Sequence, residues 1–123
     1  MPRRDPGEAG AATAELALGI PLLLALTVGL VWMLAVGAAQ VRVIDASREA
    51  ARVVARGDSA DAAEAVARRI APAGAEVHIV TATGEVRVTT SARVAAPGGV
   101  LGALPGITVS DEAVATTEEG VGE

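Results

Sequence analysis

The chain has 123 residues, a net charge of −5 and no Cys, Phe or Tyr, and Trp32 is its single aromatic residue. An acidic chain without a basic patch interleaved with aromatic residues does not fit a nucleic-acid-binding protein. Hydrophobic residues make up 51% of the sequence, and they are mostly Ala, Val and Leu. A core built from such small side chains, without disulfides, predicts a small domain that is only marginally stable alone.

The longest uncharged run of the chain begins at Leu16, and its residues 16–39 are 24 predominantly apolar positions without Asp, Glu, Lys or Arg. As a helix rising 1.5 Å per residue it reaches about 36 Å, enough to cross a hydrocarbon core of about 30 Å. A cleavable secretory signal is the alternative, but its apolar region is usually about 7–15 residues long. The sequence therefore predicts one transmembrane span at about residues 16–39.

Two features inside the span bear on helix packing. Pro21 cannot donate a hydrogen bond to the carbonyl of Ala17, which predicts a kink that membrane helices tolerate. Ala25, Gly29 and Gly37 lie four and eight residues apart on one face, a pattern that lets another helix approach closely. Small residues are also common in membrane helices generally, so both interpretations of this face stay open.

Helical periodicity continues past the span to about Arg56, and Gly57 predicts the end of the helix. The positions expected to be buried in this part are Val43, Ala46, Ala50, Val53 and Val54. Arg48, Arg52 and Arg56 recur at four-residue steps elsewhere on the helix. A solvated face is the default interpretation of these arginines, with an acidic partner surface or lipid headgroups as the alternative.

A short second helix is predicted next, capped by Asp58 or Ser59 and ended by Pro72 and Gly74. Its expected buried stripe consists of Ala62, Ala65, Val66 and Ile70. Residues 75–95 then predict a β-hairpin that turns at Thr83 and Gly84.

If Ala82 faces Glu85, the hairpin register places apolar pairs on one face and polar residues on the other. The core-facing pairs would be Val77 with Thr90, Ile79 with Val88, and Thr81 with Val86; the opposite face would carry Glu76, His78, Arg87 and Ser91. After a Gly- and Pro-rich loop, residues 107–116 predict a third strand whose alternation Asp111 and Glu112 interrupt. The predicted fold class is thus α+β: a long N-terminal transmembrane helix continuing outside the membrane, a short second helix and a small antiparallel sheet of about three strands.

The most informative motif lies at the membrane entrance, where Gly10 is followed five residues later by Glu15 and then by the span. This spacing resembles the prepilin-peptidase site of type IV pilin-like proteins, in which the bond after the glycine is cut. The resemblance implies a leader of residues 1–10, a mature N-terminus at Ala11, a long helix over residues 11–56 and a small exported domain over residues 57–123. It also implies that Glu15 pairs with the terminal amine of a neighbouring subunit. An ordinary acid at a helix N-terminus, favoured by the helix dipole, is the alternative.

The stretch GEAGAATAELALGIPLLLAL resembles the start of the TadE-like proteins of tight-adherence pili, with Glu15, Ala17 and Pro21 on matching positions. The resemblance implies a non-enzymatic structural or assembly subunit without a cofactor or small-molecule substrate. Its expected partners are the membrane, a prepilin peptidase, other pilins or pseudopilins and the pilus assembly platform. Major pilins of that system carry Tyr after the acid, whereas Leu16 stands there in this chain, which favours a minor pilin or pseudopilin.

Pilin-like topology places a single-pass protein in the cell membrane with its C-terminal domain outside the cytoplasm, at the pilus base or in the fibre. The arginines point the other way, because two precede the span and four follow it closely: Arg3 and Arg4 before, and Arg42, Arg48, Arg52 and Arg56 after. The positive-inside rule alone would keep the C-terminal part in the cytoplasm. The expected orientation therefore rests on the resemblance.

No catalytic or metal-binding pattern is evident in the sequence. His78 is the only histidine, and one imidazole beside Glu76 is not a recognisable ligand set. The competing hypothesis from another functional class is an unprocessed, single-pass anchored domain that binds or senses an extracellular ligand. Processing after Gly10 separates the two hypotheses.

Overall fold

A computed structural model describes residues 5–98 and 102–117. Two helices, α1 (Pro6–Ala55) and α2 (Ala60–Ile70), are followed by three strands, β1 (Glu76–Ala82), β2 (Glu85–Val94) and β3 (Ile107–Thr116). The strands form one antiparallel sheet in the order β1-β2-β3. The α+β fold class is confirmed, as are the short second helix and the three-stranded sheet.

Helix α1 is a single uninterrupted helix of 50 residues. Pro6 stands in its first turn, where a missing N–H costs nothing. At the other end Gly57 has a φ of +97°, its N–H donates to the Val54 carbonyl at 2.9 Å, and the Asp58 N–H donates to the Val53 carbonyl at 3.2 Å. This pair of bonds is a Schellman motif, which satisfies the last carbonyls and turns the chain back. The helix end predicted at Arg56 and Gly57 is therefore confirmed.

The two halves of α1 have different environments. All of its buried residues lie between Ala39 and Val53, where the helix packs against the sheet and α2. Before that, the large apolar side chains of the span are mostly exposed, and only 6% of the most apolar window is buried. The N-terminal half therefore presents an apolar surface that this chain leaves largely uncovered, whereas the C-terminal half is the centre of a small domain.

Helix α2 packs beside α1 with a buried stripe that differs from the predicted one. Its cap is Ser59, whose hydroxyl accepts a hydrogen bond from the Ala62 N–H at 3.1 Å, as predicted. Ala63 and Ala67 are fully buried, while Ala62 and Ala65 are exposed. The prediction was therefore wrong at Ala62 and Ala65, and right in placing Val66 and Ile70 against the core.

The physical reason for this shift is close helix packing. Alanine periodicity alone does not fix the phase in a segment where alanines occupy both candidate stripes. Ala63, Ala67 and Ile70 follow the helical repeat, and the two fully buried alanines give small side chains to the contact, so α2 can lie close to α1.

The β-hairpin has the predicted register. Ala82 pairs with Glu85, Thr81 with Val86, Ile79 with Val88 and Val77 with Thr90, and Gly84 supplies the turn with a φ of +77°. Strand β3 has the predicted bounds, but the interruption at Asp111 and Glu112 does not occur. Asp111 is half-buried on the core-facing side and Glu112 is exposed on the other, so the alternation runs through both residues.

The core is formed by small side chains, as the composition predicted. Its largest fully buried members are Val43, Val86, Val88, Thr90 and Ser47. Alanines such as Ala46 and Ala50, both without exposed surface, bring the backbone of α1 close to the sheet. A fully buried Val contributes at most about 1.5–3 kcal/mol, so the domain depends on many small contacts made by α1.

Candidate assembly surface on the long helix

The membrane-entrance residues Gly10, Ala11 and Glu15 all lie within α1 and are exposed. A Cβ added at Gly10 would meet no atom within 4 Å, so no other part of the described chain covers the bond after it. Among the described residues, no ion pair or hydrogen bond involves the Glu15 carboxylate. The structure brings these three residues together on successive turns of one accessible helix.

The spacing of Ala11 and Glu15 has a chemical consequence. Residues four apart stand one above the other on a helix. A chain that began at Ala11 would carry a positive amine one turn away from the Glu15 carboxylate, at the helix end that the dipole makes positive. Both groups would then be charged and exposed at the membrane surface, available to each other or to the matching groups of a neighbouring helix.

Pro21 and the small residues of the span also face outward from the domain. The helix stays continuous through Pro21, and the predicted kink stays a prediction. Ala25 and Gly29 are partly covered and Gly37 is exposed. Cβ atoms added at Gly29 and Gly37 would meet nothing within 4 Å, so the described part of this chain does not fill the space above either glycine.

Two polar side chains of α1 that the sequence analysis did not single out hold the sheet to the helix. Ser47 is fully buried and donates from Oγ to the Asp111 carbonyl at 3.1 Å. Gln40 donates from Nε2 to the Ser110 carbonyl at 3.3 Å. Both bonds end on the backbone of β3. The sequence signal was present, because Ser47 interrupts an otherwise apolar helix face and a buried hydroxyl requires a partner.

The arginine stripe on the outer part of α1 is partly neutralised. Glu49 lies 3.3 Å from Arg52 and 4.0 Å from Arg56, and both arginine side chains are more than 60% exposed. Arg48 is also exposed. Exposed pairs of this kind contribute little to stability, which agrees with a solvated helix face.

The solvent-facing side of the sheet carries a histidine, an arginine and several acids. His78 Nε2 lies 3.8 Å from Glu76 Oε2, with both side chains at least 70% exposed. Across residues 5–98 and 102–117, no group of three or more potential metal ligands occurs. Arg87 bridges Glu85 at 3.1 Å and Glu112 at 2.7 Å, and the second of these pairs joins β2 to β3 on their solvent-facing side.

Comparison with protein families connects this architecture to known proteins. Residues 10–52 match the family model described as TadE-like protein. The matched range begins at Gly10, includes Glu15 and Pro21, and ends in the packed half of α1, so the sheet lies outside it. The resemblance to TadE-like proteins of the tight-adherence pilus system is thereby confirmed. Comparisons with curated proteins and with solved structures gave no significant match.

Proposed function

We propose that this TadE-like chain is a minor pilin or pseudopilin, a non-enzymatic subunit that is cut after Gly10 and assembles with other pilins. The observation that carries the proposal is the division of α1. One continuous helix, Pro6–Ala55, is apolar and uncovered over its first half and forms the centre of a small domain over its second half. Such a subunit can pack against the helices of other pilins through the exposed half of α1, while its small domain lies outside that bundle of helices.

Membrane anchorage follows from the same helix. Most of the 24 uncharged residues at positions 16–39 are exposed to the surroundings, and burying that much apolar surface requires lipid or other apolar helices. In the proposed topology residues 57–123 lie outside the cytoplasm. The arginine count after the span opposes this orientation, so the proposal takes its direction from the pilin resemblance.

The exposed Glu15 gives the assembly step a specific chemistry. In the proposed bundle its carboxylate leaves the membrane surface and pairs with the Ala11 amine of the next subunit. A carboxylate moved into an apolar bundle without a partner would be strongly disfavoured. Pairing therefore selects the axial offset at which both charges meet, while the apolar side chains supply the attraction.

This assembly role is tested by replacing Glu15 in the native host. Glu15→Ala should still be membrane-inserted, because the span is unchanged, but its co-isolation with the other pilins should fall at least tenfold. Asp45→Ala is the matched control, since it removes an exposed acid from the same helix beyond the span and should leave co-isolation unchanged. Equal recovery of the Glu15→Ala and wild-type complexes would contradict the proposed pairing.

A further inference from the structure

The strongest feature that the assembly role does not use is a crevice where the sheet meets the span. Its lower part is a groove of about 340 Å³ between α1 at residues 27–35 and the chain at residues 94–97. Its upper part has a volume of about 420 Å³ and is lined by Arg42 and Arg93 together with Pro72. Ala35, Val94 and Ala95 line both parts, so the two lie next to each other along the same face of α1.

The chemistry of the crevice changes along its length. The lower groove is lined almost wholly by apolar side chains, including Val31, Trp32 and Pro97. The upper part adds two guanidinium groups. Among the described residues neither Arg42 nor Arg93 forms an ion pair, which also holds for Arg48 and Arg69 away from the crevice, whereas Arg52, Arg56, Arg68 and Arg87 lie against a carboxylate. The lower groove is therefore apolar, and above it lie two arginine side chains that form no ion pair with the described residues.

Helix geometry places this change at the membrane surface. Measured from residue 16, Trp32 lies about 24 Å and Arg42 about 39 Å along a helix that rises 1.5 Å per residue. A hydrocarbon core of about 30 Å therefore contains the groove at Trp32 and leaves Arg42 at the level of the headgroups.

The sequence that follows Arg93 is itself compatible with lipid. Residues 94–107 contain no charged or polar side chain, and Leu104 is 47% exposed. A Cβ added at Gly106 would lie only 2.9 Å from Arg93 Nε and 3.0 Å from the Val94 carbonyl. The returning chain thus passes directly over the Arg93 side chain and restricts its position at the crevice.

We propose that this crevice binds one anionic phospholipid, with an acyl chain in the groove beside Trp32 and the headgroup phosphate between Arg42 and Arg93. The planar guanidinium group of arginine matches phosphate oxygens well. An anionic phospholipid has its acyl chains in the hydrocarbon core and its phosphate at the headgroup level, and these are the depths of the groove and of the two arginines. The bound lipid would join the domain to the membrane on the side where the sheet lies. This site does not depend on processing or on pilus assembly.

Trp32 provides a direct probe because it is the single aromatic residue of the chain. The full chain is placed, one copy per disc, in phosphatidylcholine nanodiscs that contain a minor fraction of phosphatidylglycerol. In one preparation the acyl chains of the phosphatidylglycerol are brominated, and in the other an equal mole fraction of phosphatidylcholine is brominated instead. We expect Trp32 fluorescence to be quenched more strongly by the brominated anionic lipid.

The double variant Arg42→Gln with Arg93→Gln should remove this preference, since each arginine near the surface favours anionic lipid by about fivefold. The matched control is Arg48→Gln with Arg56→Gln. It removes the same charge from the outer part of α1 and its C-terminal cap, neither of which lines the crevice, and it should keep the preference for the anionic lipid. Equal quenching by both lipids in the wild type, no quenching by either, or an unchanged preference in the Arg42 and Arg93 variant would each overturn the proposal.

Discussion

Ser47 and Thr90 are two buried hydroxyl-bearing residues in a core of Ala and Val, and they differ in hydrogen bonding. Ser47 donates to the Asp111 carbonyl at 3.1 Å. Thr90 Oγ1 is buried without a hydrogen-bond partner among the described residues. A satisfied buried hydroxyl stabilises the fold modestly, whereas an unsatisfied one costs free energy. The two residues should therefore respond in opposite directions to removal of the hydroxyl.

We expect Ser47→Ala to lower the free energy of unfolding by about 1 kcal/mol and the isosteric Thr90→Val to raise it by about 1 kcal/mol. Pulse proteolysis of the full chain in detergent micelles across a urea series measures both changes, because cleavage reports unfolding of the domain and not of the span. If Thr90→Val lowered the unfolding midpoint as Ser47→Ala does, the assigned hydrogen bonding would be incorrect.

Among the secondary-structure elements, α2 is the one whose buried residues differ from those predicted from the sequence. Ala63 is fully buried and Ala62 is exposed. Ala63→Leu should force the helices apart and cost about 1–3 kcal/mol. The matched control Ala62→Leu adds the same volume at the preceding, exposed residue and should change the free energy of unfolding by less than about 0.5 kcal/mol. If Ala62→Leu lowered the free energy of unfolding more than Ala63→Leu in the same proteolysis assay, the buried stripe predicted from the sequence would be the correct one.

The elements themselves were predictable where local chemistry fixes them. Gly57 ends α1 because only a residue tolerant of positive φ completes the Schellman motif, and Ser59 caps α2 with its hydroxyl. The hairpin register followed from Gly84 and from sorting polar from apolar residues along two strands. In each case neighbouring residues carry the whole signal.

What the sequence did not predict depends on contacts between distant segments. The stripe of α2 was ambiguous because alanine occupies both candidate phases, and only the approach of α1 selects Ala63 and Ala67. Asp111 takes a core-facing position against its polarity because the register of β3 on β2 pairs it with the buried Thr90. The crevice between the span and residues 94–97 joins segments about 60 residues apart, so no local pattern indicates it.

At the scale of the whole molecule, α1 belongs to the domain core as well as to the membrane anchor. A fragment of residues 57–123 would lack Val43, Ala46, Ala50 and Val53, all of which are buried against the sheet or α2. A three-stranded sheet with one short helix then has no partner for its apolar face. We expect this fragment to show no cooperative thermal transition.

The matched control is a fragment of residues 38–123, which restores the packed half of α1 without most of the span and should melt cooperatively. Circular dichroism of both fragments measures the difference. A cooperative melt of residues 57–123 well above 60 °C would show that the sheet does not need the helix, and it would contradict the shared core.

Processing after Gly10 separates a pilin-like subunit from an unprocessed anchored domain. Intact-mass and N-terminal analysis of the protein from its native host measures this processing directly. We predict a chain that begins at Ala11 and lacks the mass of residues 1–10. Gly10→Val should block the cut, because a branched side chain would crowd a site that otherwise meets nearly bare backbone. Gly7→Val, the same change one turn earlier at an equally open position, should still be processed. A native chain that retains residues 1–10 would contradict the account and favour the unprocessed anchored domain.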